Sequence, residues 1–241
     1  MEILKKNLEK SIKTLSVQDK NNLKNRLDNL MSVYPFNEYE YIISNLLGLD
    51  KIKLSNYLEI RDEYLARNEY LHLFEKYGSP TAFGITWAQS HIHSIIPELI
   101  KPSKKIEKNY SGEYDFLYMN GKNRVRIEVK ASRAVDSKSY EPLFIKALAL
   151  KSKKPFDMNF QQIKPAHCDV FLWVAVWRDT IKHWVLSSKD VKKNKYYSKG
   201  QHRGNTGEGQ LHLNRENIKD FKKYEVKPRD LLKKIIKAYK K

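Results

Sequence analysis

One cysteine in 241 residues, Cys168, leaves no partner for an internal disulfide and no set of thiolates for a zinc site. The seven histidines are scattered without the spacing of metal ligands. His91 and His93, two apart, would not share a face of a helix and read as structural or phosphate-facing. No apolar run approaches the ~18 residues of a membrane span. The opening stretch MEILKKNLEK lacks the apolar centre of a secretory signal, so a cytoplasmic chain is expected. The glycine-punctuated segment GNTGEG lacks the Lys-Ser/Thr ending of a phosphate-cradling loop.

Acidic residues are the other shortage. Lys and Arg number 46 against 28 Asp and Glu, a net charge of +18, and the mean hydropathy is −0.68. Such a chain seeks a polyanion. The imbalance is not spread evenly. Residues 1–76 hold 12 basic and 12 acidic side chains, so the whole excess belongs to residues 77–241. A neutral portion is better suited to packing, dimerisation or support of recognition than to holding phosphates.

Residues 1–76 read as an all-helical region. Ile3, Leu4, Leu8, Ile12 and Leu15 recur at helical spacing, Ser16 with Asp19 can cap a second helix, Asn37 with Glu40 a third, and Gly48 closes that third helix. Tyr41 to Arg67, turning at Gly48-Leu49-Asp50, reads either as a helix-turn-helix or as two packed helices. Gly78-Ser79-Pro80 is a joint, with Ser79 placed to cap a helix over Thr81 to Ile96.

Gly112 to Arg133, GEYDFLYMNGKNRVRIEVKASR, reads as a β-hairpin around Asn120-Gly121-Lys122-Asn123. Alternation puts Arg124, Arg126, Glu128 and Lys130 on one face of the second strand and Val125, Ile127, Val129 and Ala131 on the other. If Gly121-Lys122 form the loop, Asp115 lies opposite Glu128; an Asn120-Gly121 loop would set Asp115 opposite Arg126, diagonal to Glu128. In both registers two carboxylates and a lysine converge. Carboxylates so close repel unless a cation lies between them, and hard oxygen ligands suit Mg²⁺.

Asp115 followed on the next strand by Glu128-Val129-Lys130 resembles the signature of the PD-(D/E)xK nuclease superfamily, to which many type II restriction endonucleases belong. Tyr114 stands where the family has its proline. The resemblance implies an α/β fold for residues 77–241, a restriction-endonuclease-like core of mixed β-sheet flanked by helices, behind the helical region. It implies Mg²⁺ held by Asp115, Glu128 and the Val129 carbonyl, and Lys130 positioning or deprotonating the attacking water. It also implies a helix before the hairpin that can lend a further acid, for which Glu98 ranks first, then Gln89 and Glu113. A helix after the catalytic strands is expected at Asn159 to Lys164, NFQQIK, offering Gln161, with Gln162 beside it, to the scissile phosphate or a water. The activity implied is hydrolysis of double-stranded DNA, as a homodimer cutting a short specific site. Alternatives are a repair, recombination or phage-type nuclease selective for structure, and a basic DNA-binding protein without catalysis.

The remaining segments supply surface. Glu141 to Leu150 is expected to be helical. Asp169 to Trp177, almost continuously apolar, is expected as a central strand, with Ile181 to Leu186 returning beside it. Ile218 to Lys241 should close the chain as a basic helix with Leu231, Leu232, Ile235, Ile236 and Tyr239 as its buried stripe. DNA contacts are expected from Arg133, Lys153, Lys154, Lys195 and Lys199, and from Gln201, His202, Arg203 and Asn205 in a donor-rich loop that reads as groove-facing or simply solvated.

Overall fold

The computed structural model describes residues 2–28, 35–79, 82–110, 112–121, 123–200 and 208–240. The chain divides into two compact units, Met1–Glu69 and Tyr70–Lys241.

The first unit is helical, with α1 (Glu2–Lys13), α2 (Val17–Asp28), α3 (Pro35–Gly48) and α4 (Leu54–Arg67). Its core is small and aliphatic: Leu8, Leu15, Leu23, Ile43 and Leu46. Ser16 caps α2, its hydroxyl accepting from the Asp19 amide at 3.1 Å and donating to the Asp19 carboxylate at 2.7 Å. The boundary falls earlier than the charge count suggests, because α5 (His72–Glu75) belongs to the second unit. Leu73 and Phe74 are sealed into that unit's core and the Tyr70 amide donates to the Arg178 carbonyl at 2.9 Å.

The second unit is built on a mixed sheet in the order β1-β2-β4-β5-β8. The strands are β1 (Phe116–Asn120), β2 (Asn123–Arg133), β4 (Val170–Trp177), β5 (Thr180–Ser187) and β8 (Glu225–Val226). Only β2 and β4 run parallel. A second, antiparallel sheet, β3-β7-β6, comprises β3 (Asp157–Ile163), β6 (Tyr197–Lys199) and β7 (Gly209–Asn214).

Strand β4 is buried on both faces, as its apolar run requires. Val170, Leu172, Val174 and Val176 join a core with Ile92 of α6 (Gln89–Ile95) and Leu231 and Ile235 of α8 (Leu231–Tyr239). Phe171, Trp173 and Trp177 face the other way, onto Met158 and Phe160 of β3 and Leu211 and Leu213 of β7. Helices thus line one face of the mixed sheet, and the small sheet covers the other.

Three expected helices come out differently. NFQQIK is strand β3, because Met158, Phe160 and Ile163 must all turn inward; a bulge at Gln161-Gln162, where Gln162 takes φ +55°, makes the spacing fit. Glu141 to Leu150 forms turns, since its backbone is used elsewhere: the Asp136 amide donates to Lys146 and the Leu148 amide to Ala134, each at 2.9 Å. The C-terminal region breaks into a 3₁₀ helix (Ile218–Tyr224), β8, and a short turn begun by Pro228 before α8 starts. The buried side chains of α8 are Leu231, Ile235 and Ala238, while Leu232 and Ile236 are half-buried and Tyr239 is exposed.

The helix before the hairpin is present but composite. Ala82–Ala88 is a π-helical stretch whose first amide bonds the Ser79 hydroxyl at 3.1 Å, and α6 continues from it. Phe83, Trp87 and His91 stack face to face at 4.9 and 5.0 Å, and His91 continues the stack onto His183 of β5. The two imidazoles meet Nε2 to Nε2 at 3.1 Å, which requires one to donate and the other to accept. His93 points elsewhere, against Phe116. This ladder fixes α6, and with it Gln89, against the sheet.

Candidate active site

The hairpin register is set by its turn. Asn120 pairs with Asn123, Phe116 with Ile127, and Gly121 takes φ +58°, which glycine alone adopts without strain. Asn120 and Asn123 are therefore the pair that closes the turn, and Asp115 comes to rest opposite Glu128. Its amide donates to the Ile127 carbonyl at 3.0 Å.

The ladder ends there, and the Asp115 side chain replaces the missing strand. Its Oδ2 accepts from the Val129 amide at 2.8 Å. Because N–H and C=O of a strand residue project to the same side, the Val129 carbonyl also opens onto this edge. Oδ1 accepts from Gln89 Nε2 at 2.5 Å, and the same amide's oxygen accepts from the Lys101 ammonium. Lys101 is reached because Ile100 bridges to Leu117, laying the segment after α6 along β1; its ammonium sits 4.2 Å from the centre of the Phe116 ring. On the neighbouring strand Lys130 Nζ holds Glu128 Oε1 at 2.6 Å.

Burial dominates the electrostatics. It raises the Asp115 carboxyl, against the Val129 amide and the charges of Lys130 and Lys101, which favour the anion. Burial raises Glu128 to about 7; Asp115 adds repulsion, while Lys130 and, farther off, Lys164 oppose it. Two desolvated acids that resist ionising together form a place where a cation would be stabilising. Among the described residues no three His, Cys, Asp or Glu side chains stand together as a metal group. The donors here are two carboxylates and a carbonyl. That set fits Mg²⁺, which commonly uses one or two protein carboxylates and keeps several waters.

The rest of the hairpin's polar face is occupied. Arg126 forks onto Asp169 at 3.0 and 3.2 Å, and Arg124 pairs with Glu107 at 2.9 Å. Arg133, expected at DNA, is engaged within the protein: its guanidinium donates to the carbonyls of Leu73 (2.9 Å) and Tyr77 (2.5 Å) and lies 4.4 Å from the centre of the Phe83 ring, with its pKa lowered to about 10 by burial. Gln161 is exposed on β3, and Glu98 is exposed beyond α6. Gln89, one of the three candidates for the extra site residue, reaches Asp115. Lys153, Lys154, Lys195 and Lys199 are all exposed; Lys154 is paired with Asp136 at 2.9 Å and Lys195 with Asp220 at 3.0 Å. Gln201, His202, Arg203 and Asn205 lie outside the described residues.

Lys101 was not legible as a site residue. Its sequence neighbourhood, Leu99-Ile100-Lys101-Pro102, carries no motif, and only the bridge to β1 brings it in. Lys164, ion-paired with Glu208 at 2.9 Å, is a second unanticipated cation near Glu128. Gln89→Ala should loosen Asp115 without removing a carboxylate, weakening Mg²⁺ binding by about 10-fold, whereas Gln89→Glu should tighten it by adding a third acid. Titration calorimetry with Mg²⁺ separates the two; equal Mg²⁺ affinity in both variants would leave Gln89 with no part in the site.

No protein-family model matches the chain, and no curated protein matches it.

Proposed function

We propose that this protein is a Mg²⁺-dependent endonuclease that hydrolyses DNA phosphodiester bonds, acting in the manner of a type II restriction enzyme. The observation that carries the reading is the convergence of Asp115, Glu128 and Lys130 across the hairpin, with both carboxyls raised by burial. The fold is compatible with this, since the hairpin lies in a mixed sheet with helices on one face.

Asp115, Glu128 and the Val129 carbonyl would hold the ion. Bound there, Mg²⁺ supplies charge stabilisation at the phosphate and a lower pKa for an attacking water. Lys130 orients that water while anchored to Glu128. Gln89, itself oriented by Lys101, keeps the Asp115 carboxylate turned toward the strand edge. The basic excess of residues 77–241 draws the phosphate backbone in. A two-fold pair of copies would cut both strands of a symmetric site.

Incubation with plasmid DNA and Mg²⁺ is the direct test. Discrete fragments are expected. A smear would point instead to a nuclease without sequence choice, and an intact plasmid that shifts on a gel to binding alone.

A further inference from the structure

Away from the hairpin, the second unit has a concave basic and aromatic site. It lies between α7 (Ser188–Lys192), the turn Asn194-Lys195-Tyr196, and the 3₁₀ helix Ile218–Tyr224. The cavity measures about 530 Å³, within the ~300–1,000 Å³ of small-ligand sites. Phe221, buried, is its floor; Tyr196 leans on Phe221 at 5.8 Å, and Tyr224 flanks it at 6.4 Å.

Three lysines, Lys193, Lys195 and Lys223, rim the cavity, all exposed. The facing acid, Asp220, is already engaged: it accepts from the Tyr196 hydroxyl at 2.6 Å and pairs with Lys195 at 3.0 Å. Asp190, the other acid lining the cavity, caps α7 through Ser187 at 2.7 Å. Positive charge therefore remains at the rim. Lys195 and Lys223 rest over the Tyr196 and Tyr224 rings, 4.8 and 5.0 Å from their centres, so a base stacking on either ring takes the place of a flexible, exposed lysine side chain, which is then free to meet the phosphate.

We infer that this cavity binds an unpaired nucleotide of a DNA strand, its base against the Tyr196 and Tyr224 rings and its phosphate among Lys193, Lys195 and Lys223. Aromatic rings interleaved with lysines are the chemistry of single-strand binding, since every base has a face to stack and every nucleotide a phosphate. Concavity decides against a paired base, which cannot leave a duplex stack to enter a pocket without being extruded. The site does not depend on the hydrolytic reading, because none of its residues belongs to the hairpin constellation.

The test uses the full chain in EDTA, so that no divalent ion takes part, and compares a short single-stranded oligodeoxynucleotide, the matching blunt duplex and deoxyadenosine monophosphate by fluorescence anisotropy or competition. The single strand should bind more tightly than the duplex and compete far better than the mononucleotide. Lys193→Glu with Lys223→Glu, both exposed, should weaken single-strand binding at least 10-fold. Tyr224→Leu should weaken it about five- to a hundredfold, as loss of one stacking partner does, and should abolish quenching of a 2-aminopurine placed in the strand. Equal loss on strand and duplex, or no loss in Tyr224→Leu, overturns the assignment in favour of a plain phosphate clamp. A mononucleotide that competes as well as the strand overturns the strand as occupant. Plasmid left uncut by the wild-type chain in Mg²⁺ while these affinities persist would remove the nuclease reading and spare this one.

Discussion

Asp115→Asn and Glu128→Gln are each expected to reduce Mg²⁺-dependent cleavage of plasmid by about a hundred- to a thousandfold or more, the scale on which one group stabilising transition-state charge acts. Both substitutions keep the shape of the side chain and remove a negative charge, which at Glu128 also ends the ion pair with Lys130. Asp115→Asn also disturbs the paired acceptor for Gln89 Nε2 and the Val129 amide, so its effect should be the larger of the two. DNA affinity in EDTA should be unchanged or slightly higher, because each change removes a negative charge facing the phosphates. Lys130→Ala should behave alike in cleavage. Single-turnover rates at saturating enzyme, read beside anisotropy in EDTA, separate chemistry from binding. Cleavage by Glu128→Gln at the wild-type rate would place the reaction elsewhere in the molecule.

The same glutamate gives the second large effect, on stability. Its carboxyl is raised by burial from the ordinary glutamate range to about 7. Between those values the folded chain holds a proton that the unfolded chain has released, so stability falls as pH rises through the window. The full cost of ionising the site is up to about 3 kcal/mol once pH exceeds the folded pKa. His183 works with the opposite sign: burial and the neighbouring His91 lower it to about 4, so the folded chain holds fewer protons there and gains stability as pH rises from about 4 toward the free histidine value. The two slopes overlap in the acid range, and only a difference between proteins resolves them. Glu128→Gln should therefore gain on the wild type as pH rises from about 5 to 8, by about 1–3 kcal/mol in EDTA, seen as a rise in relative Tm of several degrees. Saturating Mg²⁺ should stabilise the wild type above pH 7 and leave Glu128→Gln nearly unmoved. A constant Tm difference across that range would mean the glutamate is not held in the desolvated state described.

What could be read before folding was whatever depended on local pattern. The alternation of β2, the apolar run of β4, the Ser16 and Ser79 caps and the placing of Asp115 on the face of Glu128 all follow from residues a few positions apart, since turn geometry and strand pleat act over that range; which of the two registers the hairpin takes was left to the structure. Where neighbours were competing for the same backbone, local pattern misled. NFQQIK is expected as a helix from the family resemblance, but inward burial of Met158, Phe160 and Ile163 against β7 makes it a strand. Glu141 to Leu150 gave up a helix because its amides and carbonyls pair with residues 134–136. Arg133 reads as a surface cation, yet two orphan carbonyls at the end of α5 and a phenylalanine face claim it. The site itself divides the same way. The sequence alone brought the acid pair and the lysine onto one face, because one hairpin carries all three. Only the tertiary structure decided that Gln89 and Lys101 complete the setting, and that both carboxyls are desolvated, because a helix 26 positions upstream and a bridging segment reach Asp115 through long-range packing that no local spacing encodes.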